Sequence, residues 1–145
     1  MAKTPKFDLK DFLPYALNRA AEVSSLEFQR VYKERYGLLR TEWRVLFHLG
    51  QYGPMTAKDI CNRASIHKTK VSRAVAALEA KRYLARATDE TDRRLERLTL
   101  TRAGQRVFAD LASYAYEYDR ALASIFTDEE QDILRRTLAK IAERG

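Results

Sequence analysis

The chain is poor in cysteine, histidine and glycine, and each scarcity argues against a class of function. Its single cysteine, Cys61, cannot form an internal disulfide, which is typical of a reducing compartment. That cysteine and two histidines far apart in the sequence make a poor set of zinc ligands. The sequence contains no phosphate-cradling glycine loop, no Cys-x-x-Cys pair and no nucleophile elbow. We therefore expect a protein that is not an enzyme and has no cofactor.

Long apolar runs are absent as well, since none approaches the roughly 18 residues that a membrane-spanning helix needs. The stretch from Met1 to Pro14 mixes charged and apolar residues and lacks the continuous apolar core of a signal peptide. We therefore expect a cytoplasmic protein with no membrane partner. The 145 residues, 46% hydrophobic and 32% charged, suffice for one compact domain or for one domain with helical extensions.

The net charge of +7 is unevenly distributed along the chain. Residues 56–106 contain 13 of the 27 basic residues and only 6 of the 20 acidic ones, so the remainder carries 14 of each and is neutral. A phosphate-binding module concentrates positive charge in this way, whereas a surface that is basic only for solubility spreads it. The distribution of charge therefore favours nucleic acid as the partner.

Amphipathic helices are predicted at both ends of the chain. Apolar residues recur at helical spacing from Leu9 to Tyr36, and Gly37 ends this helix. Thr101 is a suitable cap for another long helix, and residues 127–130 form a capping box for the last one. We expect their surplus apolar surface to be buried against a second copy of the chain. The alternative is that the terminal helices only pack on each other.

The middle of the chain contains a predicted helix-turn-helix. Thr41 is expected to cap the preceding helix, and residues 56–59 form a capping box that opens a short helix. Ser65 is expected to cap a second helix that runs to about Lys81 and has a basic, exposed face. Two helices joined by such a turn are typical of DNA recognition. The residues expected to be buried along the second helix are Val71, Ala74, Val75 and Leu78.

Two short segments of alternating side-chain character, 83–88 and 95–100, predict a pair of β-strands. The residues between them are highly charged, with no expected core residue, and are predicted to form the loop of a hairpin. A hairpin directly after a helix-turn-helix is a wing. The predicted fold is therefore mainly α with a small β-hairpin wing: a winged helix-turn-helix flanked by N- and C-terminal dimerisation helices.

These segments resemble the MarR family of bacterial and archaeal regulators over nearly the whole chain. The resemblance is densest in residues 40–46, in the helix from Ser65 to Leu78, and in the wing. The wing has two spaced aspartates, an arginine pair and a Leu-Thr-x-x-Gly helix start, a quite specific pattern. Its residues here are Asp89-Glu90-Thr91-Asp92-Arg93-Arg94 and then Leu98-Thr99-Leu100-Thr101-Arg102-Ala103-Gly104.

The resemblance implies a triangular homodimer that binds a palindromic operator on double-stranded DNA, usually as a repressor released by a ligand. It implies a helical dimerisation region in residues 1–36 and 102–145, and a DNA-binding winged helix-turn-helix domain in residues 37–101. The two recognition helices of such a dimer should lie about 34–36 Å apart, one turn of DNA.

The exposed face of the recognition helix is expected to enter the major groove, where base edges differ in their donors and acceptors. Lysine and arginine donate to guanine, whereas the serines are expected to hold phosphates, which set the register without reading sequence. An ordinary solvated helix face is the alternative for any one position. The predicted DNA contacts on this helix are Ser65, His67, Lys68, Thr69, Lys70, Ser72 and Arg73.

At the tip of the wing, Arg94 is predicted to enter the minor groove, with Arg93 beside it, because a narrow groove concentrates negative potential. The resemblance implies that Asp92 orients Arg94 and does not contact DNA itself. The alternative is an ordinary surface ion pair worth about 0–1 kcal/mol. Arg86 and Arg97 on the strands are expected to meet phosphates or a neighbouring acid.

Many members of the family bind small aromatic carboxylates in a cleft between the dimerisation helices and the winged module. An arginine that faces an aromatic-lined pocket suits such an effector, because its guanidinium binds a planar carboxylate bidentately. Tyrosines at helical spacing are also typical of a core or an interface, which is the alternative interpretation. The candidate effector-binding residues are Arg19, Trp43, His48, Tyr114 and Tyr118.

Two other functions are alternatives to a sequence-specific regulator. A nonspecific architectural DNA-binding protein would bind any duplex similarly, whereas a regulator favours its site by on the order of 10³-fold or more. A pure interaction module would use the terminal helices, and its activity would not depend on Arg94.

Overall fold

The computed structural model describes residues 5–145, and its helices and single hairpin confirm the predicted fold class. A 3-10 turn at Leu9–Asp11 precedes the first long helix. The first four residues of the predicted segment 1–36 lie outside the described range. The elements in chain order are α1 (Leu13–Tyr36), α2 (Arg40–Tyr52), α3 (Ala57–Ala64), α4 (Lys68–Ala80), β1 (Leu84–Thr88), β2 (Glu96–Leu100), α5 (Arg102–Ala123) and α6 (Asp128–Ala142).

The core is centred on α2, α4 and the hairpin, and it extends to α1 and α5. The apolar stripe predicted for α4 is confirmed, because Val71, Ala74, Val75 and Leu78 are all buried. Each fully buried aliphatic side chain contributes about 1.5–3 kcal/mol. The other elements meet this stripe with a set of buried side chains, among them Tyr32, Val45, Leu46, Leu49, Ile60, Leu84, Leu98 and Leu111.

Three predicted helix starts are confirmed. The Thr56 hydroxyl accepts from the Asp59 N–H, and the Asp59 carboxylate accepts from the Thr56 N–H, so the capping box of α3 is complete. Thr127 forms the same reciprocal arrangement with Glu130 at α6. Thr101 caps α5 by accepting from the Gly104 N–H. These side chains bond helical N–H groups that have no partner within the helix.

The prediction that Thr41 caps α2 is wrong. The helix begins at Arg40, and its N-cap residue is Leu39, which makes no side-chain cap. Gly37 ends α1 in the left-handed conformation (φ 64°), and the next residue, Leu38, is fully buried. Because Leu38 is buried, the chain enters the core immediately after α1 ends. This burial places the start of α2 at Arg40, although Thr41 has the higher N-cap preference.

The hairpin is a regular antiparallel pair that runs in register from Leu84 opposite Leu100 to Thr88 opposite Glu96. Met55 adds an isolated bridge to Leu98 on the other edge of β2, which attaches the wing to the segment before α3. The loop contributes no residue to the hydrophobic core, as expected, although Asp89 within it is only 5% exposed. Its carboxylate accepts hydrogen bonds from the loop backbone at Thr91 and Asp92.

The two ends of the chain expose much apolar surface. Helix α6 has no buried residue, and α1 has only two, both in its last three turns. None of the helices within residues 5–145 combines the length and the apolarity that crossing a membrane requires. The large exposed apolar side chains of the terminal elements include Phe7, Leu9, Phe12, Leu13, Val23, Leu26, Ile125, Ile133, Leu134, Leu138 and Ile141.

The start of α5 lies directly against the backbone at the end of the turn that follows α4. The Thr101 N–H donates to the Tyr83 carbonyl at 3.0 Å, and the Thr101 hydroxyl donates to the Arg82 carbonyl at 2.7 Å. A Cβ atom at Gly104 would lie 2.0 Å from the Tyr83 carbonyl oxygen and 2.9 Å from its carbon. Only glycine fits there. The start of α5 therefore packs directly on the backbone of the residues that lead into β1.

We expect Gly104→Ala to destabilise the protein, because the new methyl group collides with backbone that cannot move aside. Overpacking of this kind costs typically about 1–3 kcal/mol, and a backbone clash lies at the upper end. Urea unfolding followed by circular dichroism measures the change. The exposed Ser113→Ala on the same helix is the control and should change the free energy of unfolding by less than about 0.5 kcal/mol. Equal stability of the two variants would contradict the close approach at Gly104.

Candidate nucleic-acid interface and adjacent cavity

The start of α4, the predicted recognition helix, differs from the prediction. Ser65 does not cap α4: it is the C-cap residue of α3, it lies in the left-handed region (φ 54°), and its N–H donates to the Cys61 carbonyl. The N-cap residue of α4 is His67, whose Nδ1 accepts from the Thr69 N–H at 3.2 Å. The ring proton of neutral His67 is therefore on Nε2, which remains an exposed donor.

The outward face of α4 is polar and basic because the opposite face is buried in the core. The predicted DNA contacts at Ser65, His67, Lys68, Thr69, Lys70, Ser72 and Arg73 are all exposed. Ile66 and Val71, which interrupt this run, are buried. No carboxylate within residues 5–145 forms an ion pair with the three cations of this face, which are Lys68, Lys70 and Arg73. Their charge is therefore available to a ligand.

The wing loop is built around the carboxylate of Asp89. Its Oδ1 accepts from the Thr91 hydroxyl at 2.6 Å, the Thr91 N–H at 2.8 Å and the Asp92 N–H at 3.2 Å. Its Oδ2 accepts from Nε of Arg97 at 2.6 Å. The hydrogen bond from the Thr91 side chain and then the one from Arg97 hold the pKa of Asp89 well below its usual range.

Arg94 lies at the tip of the loop and is held by Asp92. The Asp92 Oδ1 accepts from the Arg94 N–H at 3.0 Å and from its Nε at 3.1 Å, while Oδ2 accepts from Nη2 at 3.2 Å. This hydrogen bonding lowers the pKa of Asp92. The Arg94 side chain is nevertheless 90% exposed. The contact fixes the direction of the guanidinium without covering it.

Of the other arginines of the hairpin, the two on the strands form ion pairs and the one in the loop is exposed. Arg86 pairs with Glu79 at 3.1 Å and with Glu96 at 3.3 Å, and Arg97 pairs with Asp89. Both strand arginines thus meet a neighbouring acid, which was one of the two expectations for them. Arg93 is exposed and forms none of the ion pairs that the structure shows among its described residues. Arg93 and Arg94 are therefore the cations that the loop presents to solvent.

A cavity of about 300 Å³ lies between α1 and the start of α2. Phe28 and Trp43 give it aromatic walls, with ring centroids 5.4 Å apart. The hydroxyl of Tyr32 is buried and has no hydrogen-bond partner among the described residues. Burial raises the pKa of Tyr32, and the nearby Arg40 and Trp43 lower it by a smaller amount. The lining residues are Ala21, Ser25, Phe28, Tyr32, Arg40, Trp43 and Arg44.

Of the five predicted effector-binding residues, Trp43 lines this cavity and the others are placed elsewhere. Tyr118 stacks on Phe28 with 6.0 Å between centroids, and its hydroxyl donates to the Ser24 carbonyl. Arg19 lines a separate groove along α1. His48 donates from Nδ1 to the Arg44 carbonyl, and Tyr114 lies under the guanidinium of Arg35 at 4.7 Å.

The cavity residues that the sequence did not predict are Ala21, Ser25, Phe28, Tyr32, Arg40 and Arg44. Helical spacing indicates part of this lining. Ser25, Phe28 and Tyr32 share one face of α1. Arg40, Trp43 and Arg44 share one face at the start of α2. That periodicity shows which side chains share a face. It does not show that two such faces enclose a space.

Comparison with known proteins places the winged module within a single family. A sequence model of the MarR family matches residues 36–95. The homoprotocatechuate degradative operon repressor of Escherichia coli is 25% identical over 137 residues, which cover 94% of this chain and 92% of the repressor. A crystal structure of a MarR/EmrR family transcriptional regulator from Acinetobacter sp. ADP1 is 25% identical, with a TM-score of 0.86 over 95% of this chain and 97% of that one.

The chain contains a MarR-family winged module in residues 36–95. It is a DNA-binding transcription regulator and not an enzyme. A second solved structure, that of Bordetella bronchiseptica BpsR, concerns the regulation of that protein's DNA binding by 6-hydroxynicotinic acid. BpsR is 21% identical, with a TM-score of 0.85 over 95% of this chain and 98% of its own, and the likeness shows a shared fold.

We expect Asp89→Asn to loosen the wing of this regulator without unfolding its core, because the amide loses the charge that binds Arg97 and one of its acceptor oxygens. Hydrogen exchange should accelerate at the amides of Thr91 and Asp92, which donate to Asp89. Glu90→Gln, an exposed carboxylate next in sequence, is the control and should leave this exchange unchanged.

The lowered pKa of Asp89 also sets how the wing responds to pH. A depressed pKa contributes stability above the ordinary aspartate value, about 4, and this contribution is lost as the pH falls through the depressed pKa. Protection factors at Thr91 and Asp92 in the wild type should therefore be constant between about pH 8 and pH 5. A marked loss of protection in that interval would contradict the ion pair.

Proposed function

We propose that the regulator binds a palindromic operator as a homodimer and represses transcription until a small aromatic acid occupies the cavity between α1 and α2. The observation that carries the proposal is Arg94, a wing-tip arginine that is oriented by Asp92 and yet 90% exposed. An arginine aimed outward at a fixed angle suits insertion into a narrow minor groove.

The proposed base contacts come from the outward face of α4 in the major groove. Lys68, Lys70 and Arg73 donate to guanine O6 and N7, and Thr69 bonds a base or packs against a thymine methyl. His67, whose Nδ1 is engaged at the cap, offers only the Nε2 donor while it is neutral. The proposed phosphate contacts are Ser65 and Ser72, with Arg93 beside Arg94 on the wing.

The proposed homodimer is supported by the unpartnered apolar faces of the terminal helices. Ile133, Leu134, Leu138 and Ile141 recur at helical spacing along α6, and each is at least 40% exposed. Exposed apolar patches of this kind mark interaction sites. Residues 1–36 and 102–145 would form the dimerisation region and residues 37–101 the DNA-binding domain. A two-fold axis then accounts for a palindromic site, because each half-site meets one wing and one recognition helix.

The proposed effector site is the cavity lined by Phe28, Tyr32, Trp43, Arg40 and Arg44. Its volume of about 300 Å³ lies at the lower end of the range for small-ligand pockets. Aromatic walls suit a planar ring, and the guanidinium of Arg44 suits a carboxylate. The Tyr32 hydroxyl, which has no hydrogen-bond partner among the described residues, offers a further hydrogen bond. The same chemical class is represented by 6-hydroxynicotinic acid, which regulates the structural relative BpsR. Because it regulates transcription, the protein is proposed to act in the cytoplasm.

The test of operator binding is a selection from genomic fragments with purified protein, repeated with Arg94→Ala. We expect the wild type to enrich one pseudo-palindrome and Arg94→Ala to bind it about 5- to 150-fold more weakly, corresponding to about 1–3 kcal/mol. Asp92→Asn keeps the arginine but weakens its orientation, and it should give a smaller loss. Arg30→Ala, at an exposed arginine of α1, is the matched control for loss of one positive charge.

Enrichment of no sequence, or equal affinity of Arg94→Ala and wild type for the selected site, would overturn the proposal. Equal affinity of the wild type for every duplex, with a steep salt dependence, would instead identify a nonspecific architectural protein.

A further inference from the structure

The two arginines of the cavity differ in what they bind. Arg40 is paired with α1: its Nη1 and Nη2 donate to the Glu22 carboxylate at 2.8 and 3.4 Å, and Nη2 donates to the Ser25 hydroxyl at 3.1 Å. Arg44 has no ion pair with any carboxylate of residues 5–145. Burial and then the charge of Arg40 lower the pKa of Arg44. Arg44 is therefore the cavity cation whose charge the described chain leaves uncompensated.

Arg44 also reaches out of the cavity to the helix-turn-helix. Its Nη2 donates to the backbone carbonyl of Ala64 at 2.8 Å. Ala64 is the last residue of α3, and its carbonyl is one of those that a helix leaves without an intrahelical partner. A cation at that position also opposes the negative end of the helix dipole. One guanidinium thus joins the wall of the cavity to the end of α3.

The residues that follow Ala64 form the turn that positions the recognition helix. Ser65 is left-handed, a conformation that non-glycine residues adopt only when their surroundings hold them there. Ile66 is buried, and its N–H donates to the Cys61 carbonyl at 3.2 Å. His67 then caps α4. The bond from Arg44 fixes the carbonyl at which this three-residue turn begins, so it bears directly on where α4 starts.

We infer that Arg44 is a positioning residue that couples the cavity to the recognition helix. In the unliganded protein its guanidinium holds the Ala64 carbonyl and, through the turn, keeps α4 set for DNA. An anion bound in the cavity competes for the same guanidinium, weakens the bond to Ala64 and lowers affinity for DNA. The inference rests on the proposed effector site and gives it a mechanical connection to the proposed DNA contacts.

The experiment compares wild type, Arg44→Met, Arg44→Lys and the matched control Arg30→Met, all as full chains without ligand. We expect Arg44→Met to lose roughly tenfold or more in affinity for the selected operator. Hydrogen exchange should accelerate at the Ser65 and Ile66 amides, which both donate to the Cys61 carbonyl, while the amides of α5 remain unchanged. Arg44→Lys keeps one charged donor and should recover part of the affinity, even if the methionine variant folds poorly.

The same proteins are then titrated with 6-hydroxynicotinate as the probe. We expect the probe to weaken operator binding by the wild type and to speed exchange at Ile66, and we expect both effects to be absent in Arg44→Met. Wild-type affinity and exchange in ligand-free Arg44→Met would overturn the inference. So would a probe response in Arg44→Met as large as in the wild type, because Arg44 would then support the turn without coupling it to the cavity.

A wild type that does not respond to the probe, but whose Arg44→Met variant weakens DNA binding, would contradict the effector proposal for this ligand and still support the positioning role. The ligand-free comparison thus tests the role of Arg44 separately from the proposed function.

Discussion

The burial of one face of α4 is the interaction on which the DNA-facing surface depends. Val71, Ala74, Val75 and Leu78 enter a core supplied mainly by α2, α3 and the hairpin. Because these side chains recur at helical spacing, burying them turns the lysines and Arg73 outward together. The core thus fixes the rotation of the helix about its axis, and the turn at residues 65–67 fixes its start along that axis.

Carboxylates determine which cations of the winged module remain available. Glu79, Glu96 and Asp89 compensate the strand arginines, whereas Asp92 holds Arg94 in a defined direction and leaves it exposed. On α4, no acid pairs with the basic face within the described residues. Part of the excess charge of the segment 56–106 therefore lies exposed on α4 and at the wing tip, where it can attract phosphates.

The sequence predicted the elements well and their junctions less well, for a physical reason. Periodicity and capping boxes depend on neighbouring residues, so the stripe of α4 and the starts of α3, α5 and α6 could be predicted. The start of α2 depends on the burial of Leu38, and the cap of α4 depends on a left-handed Ser65, and neither is visible in local sequence. Most residues that line the cavity could not be predicted, because they come together only where α1 meets α2; Trp43 is the one lining residue among the predicted effector-binding residues. The loop carboxylate of Asp89 was likewise hidden among charged neighbours.

The most direct test of the account is a chemical footprint of the protein on its selected operator, with methylation interference at guanine N7 and hydroxyl-radical cleavage of the backbone. Two α4 helices and two wings related by a two-fold axis should give major-groove interference at two sites about 34–36 Å apart, with minor-groove protection beside each. A single patch of major-groove interference, or protection of the backbone with no interference at guanine, would contradict the claim that the exposed face of α4 reads DNA within a symmetric dimer.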